Sequence, residues 1–287
     1  GALPKPVSIE ALEGLMAAYD KSQVAKKQQR NFVSMTKDEV QTAMDEGRVC
    51  VAFQPKTCLA TGDLIGAETL ARMTGEQGQL LSPAAFIPTA EKEGLMKQLT
   101  GKVLEASFAD MQELMLHKPD IKISVNVSVD DLIDVGFTEH LVSMFEEYGI
   151  NPKQIIIEVT ESKIMEDIIT PLDILSRLRM RGIGLSIDDF GTGASGFENL
   201  QILPFTELKI DRAFVDRCDQ NEEKLAILES MVFVAKQMKL SVVAEGIERE
   251  EELEVLRKLG VDQVQGYFIA KPMLVDQFVS WYQEKYS

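Results

Sequence analysis

From Val49 onward, short apolar runs typical of β-strands alternate with longer amphipathic stretches typical of α-helices. Alternation of this kind predicts a sheet of parallel strands with helices packed against it. The first two strands are an exception, because only the segment from Pro55 to Asp63 separates them and a crossover helix needs more residues. We expect these two strands to form an antiparallel hairpin that turns at Thr61-Gly62-Asp63.

Eight strands are predicted in all: Val49-Gln54, Leu64-Arg72, Ile121-Val127, Gln154-Val159, Gly184-Asp188, Glu207-Ile210, Ser241-Ala244 and Gln263-Tyr267. The main helical stretches are Leu99-Leu116, Val129-Tyr148, Pro171-Arg181, Lys224-Met238, Glu250-Leu259 and Val275-Tyr286. Eight strands joined mostly through helices favour an α/β fold, a modified (β/α)8 TIM-like barrel with an antiparallel first strand. A doubly wound open sheet is the alternative.

Residues 1–47 are predicted to form a separate helical or linker segment, and residues 48–287 the barrel domain. Lys5-Pro6 precedes a short amphipathic pattern, and the polar stretch from Lys21 to Arg30 is interpreted as a solvated helix or a linker. A further helix is expected from Thr36 to Glu46, because Thr36 is a good N-cap and Gly47 ends the pattern.

The charge of the chain limits its partners. The 46 acidic residues exceed the 30 basic ones, which gives a formal net charge of -16. Such a surface repels nucleic acid, so duplex binding by this segment is not expected, whereas a small anion could still bind beside a metal ion. The three cysteines lack metal-ligand spacing and are interpreted as reduced thiols of a cytoplasmic protein. No apolar stretch is long enough to span a membrane.

Two adjacent aspartates, Asp188 and Asp189, end one predicted strand and precede the turn Phe190-Gly191-Thr192-Gly193. Two neighbouring carboxylates repel each other, and burial increases the cost of charging them. A divalent cation would relieve both problems. An aspartate shared between two cations is typical of two-metal phosphoryl chemistry.

Polar side chains also follow the other strands, and in a barrel the carboxyl ends of the strands meet at one face. These candidate residues are Glu68, Arg72, Asn126, Glu158, Glu161, Lys209, Asp211, Glu245, Glu248 and Gln265. Any one of them could have a purely structural role, but together they predict a shared site. Carboxylate and amide oxygens without a convergent histidine or cysteine suit Mg²⁺ or Mn²⁺. A guanidinium such as that of Arg72 suits a phosphate.

The strand-end motifs, in their order along the chain, resemble those of the EAL-domain family of cyclic di-GMP phosphodiesterases. The motifs are Glu68-Thr69-Leu70, Asn126-Val127-Ser128, Ile157-Glu158-Val159-Thr160-Glu161, Asp188-Asp189-Phe190-Gly191-Thr192-Gly193, Leu208-Lys209-Ile210-Asp211, Ala244-Glu245-Gly246-Ile247-Glu248 and Gln265-Gly266-Tyr267. The resemblance covers the chain from about Val49 to the C-terminus. It implies hydrolysis of cyclic di-GMP to linear pGpG that depends on Mg²⁺ or Mn²⁺, with two ions expected. Ca²⁺ is expected to inhibit, because its longer and looser coordination would misplace the attacking water.

The resemblance also implies roles for individual residues. Glu68, Asn126, Glu158 and Asp188 would hold one metal, and Asp188 and Asp189 would hold or approach a second. Lys209 would contact the attacking water, and Glu245 would be the general base or a ligand of the second metal. Gln54 and Gln265 would line the substrate site, and Arg72 would contact a phosphate. Glu161 would anchor the loop after Asp189, while Asp211 and Glu248 would support the site from behind.

Two positions depart from the family pattern. Thr69 replaces the alanine of the signature triplet, and Gly193-Ala194-Ser195-Gly196-Phe197 replaces the usual loop sequence. Neither change removes an expected metal ligand. The resemblance further implies a homodimer, and Lys5-Pro6 is similar to the end of a receiver domain, which suggests a response regulator as the parent protein. The alternatives are a cyclic di-GMP sensor without activity and another metal-dependent barrel enzyme, such as an aldolase or a phosphosugar isomerase.

Overall fold

The structure is a computed structural model, and it describes residues 34–161, 169–191 and 199–286. Its strands in chain order are β1 (Val49–Cys58), β2 (Leu64–Thr74), β3 (Leu80–Leu81), β4 (Lys122–Asn126), β5 (Ile155–Thr160), β6 (Gly184–Phe190), β7 (Glu207–Ile210), β8 (Ser241–Ala244) and β9 (Gln263–Val264). They follow the order β1-β9-β8-β7-β6-β5-β4-β2-β3, and β1 also pairs with β2. This additional pairing closes the sheet into an eight-stranded barrel, with the two-residue β3 attached to the outer end of β2.

The antiparallel first strand is confirmed. β1 runs antiparallel to both of its neighbours, β2 and β9, whereas β2 and the strands from β4 to β9 run parallel to one another around the barrel. The hairpin register places Gln54 opposite Glu68 and Cys50 opposite Arg72. Closure of the sheet excludes the open doubly wound alternative.

Helices connect the parallel strands and cover the barrel. They are α1 (Lys37–Asp45), α2 (Ile87–Lys92), α3 (Met96–His117), α4 (Val129–Leu132), α5 (Phe137–Tyr148), α6 (Ile169–Met180), α7 (Arg212–Val215), α8 (Glu222–Gln237), α9 (Glu250–Leu259) and α10 (Val275–Tyr286). Local sequence explains several ends. A capping box between Thr36 and Glu39 begins α1. Gly149 and Gly260 end α5 and α9 in the left-handed conformation, which glycine adopts without a steric penalty.

Several boundaries differ from the prediction, most of them by one to three residues. The helix expected over Val129-Tyr148 is divided into α4 and α5, because an Asp134 carboxylate oxygen accepts from the amide of Gly136 at 2.9 Å and stabilises a turn there. β1 does not end at Gln54 but continues to Cys58. β9 is shorter than the expected Gln263-Tyr267, because the chain turns at Gly266. The carbonyl of Gly266 accepts from the amides of Ile269 and Ala270.

The apolar core lies between the outer face of the strands and the helices. Leucine, isoleucine and valine of the strands pack there against apolar residues of the long helices. Val40, Ala43 and Met44 of α1 belong to the same buried cluster. The interpretations of Lys5-Pro6 and of the Lys21 to Arg30 stretch concern residues outside the described ranges. Among the helices of the described ranges, none combines the length and the apolarity needed to cross a bilayer.

Candidate active site

The inside of the barrel is polar where the carboxyl ends of the parallel strands meet. In a strand, alternate residues face the same side of the sheet, so each strand can direct one or two side chains into the barrel. The buried polar or charged residues that it brings together are Gln54, Lys56, Glu68, Ser124, Glu158, Ser186, Asp188, Glu207, Lys209 and Gln265. Burial of so many polar groups requires that they compensate one another.

Carboxylates from three strands converge at this end of the barrel. Glu68 of β2, Glu158 of β5 and Asp188 of β6 each place an oxygen within 4.8 Å of the other two. A second group consists of Asp188, Asp189 and Glu245, again with oxygens within 4.8 Å of one another. Asp188 belongs to both groups, so it lies in the position expected of a ligand shared by two cations.

A break in the sheet explains how both aspartates reach the site. Neighbouring residues of a regular strand point to opposite faces. Between Ile187 and Phe190, however, the pairing of β6 with β7 shifts its register, and Asp189 has a φ of 54°. Such a bulge redirects the side chains around it. The local backbone therefore brings Asp188 and Asp189 to the same face, where a straight strand would separate them.

Lys209 of β7 lies among these carboxylates. Its Nζ is 2.6 Å from Glu158 Oε2 and 2.7 Å from Glu245 Oε1. The same atom is 3.2 Å from Asp188 Oδ1 and 3.4 Å from Glu68 Oε2. Lys209 is only 1% exposed, and its ammonium group supplies positive charge at the centre of both carboxylate groups.

Burial and neighbouring charges shift the pKa values of these carboxyl groups in different directions. Burial raises the pKa of Glu245 well above its usual range, and burial also raises the pKa of Glu68. Burial acts in the same direction on Glu158, but Lys209 and Lys56 outweigh it and lower the pKa of that carboxyl. Burial would lower the pKa of Lys209, yet the surrounding carboxylates, Glu158 first, raise it well above its ordinary value. Glu158 and Lys209 therefore form the charged centre of the site.

Amide side chains orient Glu68 from both sides. Asn126 Nδ2 donates to Glu68 Oε1 at 2.9 Å, and Gln265 Nε2 donates to Glu68 Oε2 at 2.6 Å. Gln265 Nε2 also donates to Gln54 Oε1 at 3.0 Å, and Gln54 in turn donates to the carbonyl of Ala270 at 3.2 Å. The structure thus brings Gln54, Asn126 and Gln265 together around one carboxylate.

Sequence reasoning missed a second buried charged group beneath these residues. Lys56 of β1 and Glu207 of β7 are 1% and 4% exposed, and Lys56 Nζ is 3.5 Å from Glu207 Oε1. Lys56 also donates to Ser124 Oγ and lies 3.4 Å from Glu158 Oε1. The period of two along β1 places Lys56 on the same face as Gln54, a signal that was lost when the strand was predicted to end at Gln54.

An open cleft of about 280 Å³ leads to the site, lined by Gln54, Glu68, Leu70, Asp188, Arg212, Glu245, Gly246, Glu248, Gln265, Gly266 and Tyr267. Arg212, also missed from the sequence, places Nη2 at 2.8 Å from Glu248 Oε1. Arg72 lies further along β2, half-buried, where its Nη1 donates to the carbonyl of Ala71 at 2.8 Å. Its phosphate contact stays a prediction.

Two other predicted residues lie around the site in distinct positions. Glu161 is buried, and its Oε2 accepts from the amide of Gly191 at 2.8 Å, which fixes the chain just after Asp189. The loop at 193–197 lies outside the described residues. Asp211 is the N-cap of α7, since its Oδ1 accepts from the amide of Ala213 at 2.8 Å. The roles expected of these residues stay predictions.

Thr69, which replaces the alanine of the signature triplet, is accommodated without disturbing this arrangement. It is buried, and its hydroxyl donates to the carbonyl of Ser124 at 2.6 Å. The hydroxyl therefore has a partner, and it adds a link between β2 and β4.

The donor set fits a hard divalent cation. The converging atoms are carboxylate oxygens, which Mg²⁺ and Mn²⁺ prefer. Five buried or half-buried carboxylates, those of Glu68, Glu158, Asp188, Glu207 and Glu245, surround two ammonium groups, those of Lys56 and Lys209. Bound cations would balance the excess negative charge. Glu68, Glu158 and Asp188 would hold one ion, and Asp188, Asp189 and Glu245 would approach another.

Comparison with known proteins agrees with this arrangement. Residues 37–272 match the model of the EAL domain. The chain is 35% identical over 254 residues to the cyclic di-GMP phosphodiesterase PA2567 of Pseudomonas aeruginosa, with 88% of this chain and 43% of that protein covered. It is 30% identical over 282 residues to the cyclic di-GMP phosphodiesterase RocR of the same organism, with 98% and 72% covered.

The fold is similar to solved structures as well. The PaMucR phosphodiesterase in a c-di-GMP complex is 34% identical to this chain, with a TM-score of 0.79. The match covers 84% of this chain and 98% of that chain. The chain spans less than half the length of several of the curated proteins it matches. The family match, the relatives and the barrel with its antiparallel first strand lead to one conclusion: this chain belongs to the EAL domain family.

Proposed function

We propose that this chain hydrolyses cyclic di-GMP to linear pGpG with Mg²⁺ or Mn²⁺, most simply two ions. The observation that carries the proposal is the convergence of two carboxylate groups, one of Glu68, Glu158 and Asp188 and one of Asp188, Asp189 and Glu245. Members of both groups line one open cleft. The names of PA2567, RocR and PaMucR support the substrate. An aldolase or phosphosugar isomerase would not account for the family membership.

The reaction adds water across one phosphodiester bond: a P–O bond to the water forms and the P–O3′ bond breaks. The attacking water loses one proton and O3′ takes up one, so O3′ leaves as a hydroxyl. When bound, the divalent cations would neutralise the charge of the phosphate and make a water molecule more acidic. Glu245 lies in the cleft and would accept the proton of the attacking water. Lys209, 2.7 Å from Glu245, would stabilise the carboxylate and orient that water.

Substrate contacts would come from the cleft walls. Gln54 and Gln265 line the cleft and present amide groups beside Glu68. Arg72 would reach a phosphate at the outer end of β2, since a guanidinium binds phosphate through two nitrogen atoms. Glu248 holds Arg212 at the same wall. These groups would position the phosphodiester beside the carboxylates. The cations and Glu245 would activate the water and stabilise the charge of the phosphate.

The proposal is tested by incubating the purified chain with cyclic di-GMP and Mg²⁺ and separating the nucleotides by chromatography. Appearance of pGpG supports the proposal. Binding of cyclic di-GMP without product would identify the chain as a sensor, and absence of binding would overturn both. Ca²⁺ is expected to bind without supporting turnover, because its longer and less regular coordination misplaces the water. Robust turnover with Ca²⁺ alone would contradict this positioning argument.

The wider context is proposed in the same way. The resemblance supports a homodimer and a receiver or other regulatory domain in the parent protein, and the three cysteines without metal-ligand spacing support a cytoplasmic location. The division into residues 1–47 and 48–287 is proposed from the change of sequence pattern near Val49. Light scattering coupled to size-exclusion chromatography tests the dimer, and limited proteolysis tests the boundary. The charge of -16 supports a segment that does not bind nucleic acid.

A further inference from the structure

Lys56 is buried inside the barrel, below the carboxylates of the candidate active site. Its Nζ contacts three side chains that come from three different strands: Ser124 of β4, Glu158 of β5 and Glu207 of β7. The side chain is 1% exposed, so water does not screen these contacts as it would at the surface. Lys56 therefore acts on the site from the side opposite to the cleft.

The two oxygens of the Glu158 carboxylate are divided between two lysines. Oε1 faces Lys56 Nζ at 3.4 Å. Oε2 faces Lys209 Nζ at 2.6 Å, and that ammonium also contacts Glu68 and Asp188. Only Oε2 is therefore directed toward the group of converging carboxylates. Rotation of the carboxylate that brought both oxygens to that group would break the contact with Lys56.

Glu207 is one of three partners of Lys56, and Ser124 and Glu158 remain against Lys56 when Glu207 is replaced. Gln263 Nε2 contacts the other oxygen of Glu207 at 3.4 Å. Removing one member of a buried ion pair leaves an uncompensated charge, whereas replacing both members with neutral side chains of similar size is often tolerated. Lys56 and Glu207 can therefore be removed together.

We propose that Lys56 is a positioning residue that holds Glu158 as a one-oxygen metal ligand and so favours Mg²⁺ or Mn²⁺ over Ca²⁺. The inference rests on the divalent-cation site of the proposed function. Mg²⁺ requires a near-ideal octahedron of ligands at short distances, whereas Ca²⁺ accepts more ligands and often binds both oxygens of one carboxylate. A Glu158 that cannot present both oxygens is thus a poorer partner for Ca²⁺ than for Mg²⁺.

The test compares cation affinities in the Lys56→Met/Glu207→Gln double variant with those of the wild-type chain. Calorimetric titrations with Mg²⁺ and with Ca²⁺, without nucleotide, give the ratio of the two dissociation constants. Because both cations carry the same charge, the ratio cancels the general electrostatic effect of the substitutions. We expect the double variant to gain about tenfold in Ca²⁺ affinity relative to Mg²⁺, since Glu158 is then free to bind through both oxygens.

Glu207→Gln alone is the matched control. It removes the same carboxylate but keeps Lys56 against Glu158, so its affinity ratio should stay within about twofold of the wild type. A folded double variant with the wild-type ratio would overturn the proposal, as would a single variant with the same shift as the double variant. Circular dichroism and the melting temperature establish that each variant is folded.

A second measurement needs no variant. In a crystal structure of the wild-type chain soaked in Ca²⁺, Glu158 should contact the ion through Oε2 alone, and coordination through both oxygens would contradict the proposal. Absence of any divalent cation bound at Glu158 would also overturn it. Failure of the proposed function is recognised separately, since cation affinity and coordination are measured without cyclic di-GMP. If the chain binds cations with the expected selectivity but releases no pGpG, the inference about Lys56 is supported and the proposed hydrolysis is contradicted.

Discussion

Lys209 Nζ lies 2.7 Å from Glu245 Oε1, inside a barrel that places both residues beside the converging carboxylates. Lys209 is the penultimate residue of β7, whereas Glu245 directly follows the neighbouring β8. Burial raises the pKa of Glu245 well above its ordinary value, and Lys209 opposes this effect. The lysine therefore favours the ionised form of the residue that we propose as the base.

Glu245→Gln should reduce hydrolysis of cyclic di-GMP by a factor of about 10³, because a positioned general base contributes roughly 10² to 10⁴ in rate. The amide keeps the size of the side chain, so nucleotide binding should change little. Chromatography of the products measures the first effect and equilibrium dialysis measures the second. Turnover like that of the wild type would remove Glu245 from the mechanism.

Lys209→Met should destabilise the metal-free chain by roughly 3 kcal/mol, because it leaves buried carboxylates without their central positive charge. Mg²⁺ should raise the melting temperature of this variant more than that of the wild type, since a bound cation takes over the compensation. Thermal melts in EDTA and in Mg²⁺ test both points. Lys236→Met is a suitable control, because Lys236 pairs with Asp262 at the surface. Equal melting of Lys209→Met and wild type in EDTA would contradict the argument.

Asp189 can be tested through its backbone conformation. Its φ of 54° lies in the left-handed region, where a Cβ atom costs about 1 to 2 kcal/mol relative to glycine. Asp189→Ala and Asp189→Gly both remove the carboxylate, so their difference isolates the backbone. We expect the alanine variant to be less stable by about 1 kcal/mol in denaturant unfolding, with hydrolysis impaired in both. Equal stability would indicate that the bulge relaxes.

Gly246→Ala should disturb the cleft wall. A Cβ there would lie 2.4 Å from Cγ of Arg212, which contacts Glu248, and the φ of Gly246 is +69°. Gly260→Ala is the control, because Gly260 has a φ of +78° but nothing within 4 Å of its Cβ position. Both variants carry backbone strain, but only Gly246→Ala crowds Arg212. Only this variant should therefore also raise the KM for cyclic di-GMP. An unchanged KM in a folded Gly246→Ala variant would contradict the expectation that displacement of Arg212 weakens substrate binding.

Asp131 gives a pH-dependent prediction away from the site. Burial raises its pKa to about 6, and its carboxylate accepts from the amide of Ser128 at 3.2 Å. Between its unfolded pKa of about 3.9 and this value the folded chain binds more protons than the unfolded one, so ionisation of Asp131 reduces stability as the pH rises. Asp131→Asn avoids this loss and keeps an acceptor for Ser128.

The melting temperature of Asp131→Asn, relative to the wild type, should therefore rise between pH 4 and pH 7. Asp130→Asn, on the same short helix but exposed, is the matched control and should show no comparable change. A relative melting temperature that stays constant or falls with rising pH would show that ionisation of Asp131 does not reduce the stability of the folded chain.

Much of the barrel could be predicted because its signals are local. The alternation of strands and helices and the short gap between Pro55 and Asp63 predicted the parallel barrel and its antiparallel first strand, which the structure confirms. The carboxyl ends of parallel strands must meet, so Glu68, Glu158 and Asp188 could be grouped before any distance was known. The divided helix between Leu132 and Phe137 was missed, because its amphipathic pattern continues across the turn.

The sequence by itself determined the order of the strands and the chemical type of the residues at their ends. Only the tertiary structure decided how these residues act on one another. Lys56 contacts Glu158 and Glu207 across 102 and 151 positions of sequence, and no local pattern indicates that one lysine contacts both. The bulge that turns Asp189 toward Asp188 likewise depends on the pairing of β6 with β7. Burial and charge compensation act through space, so they become defined only when the barrel closes.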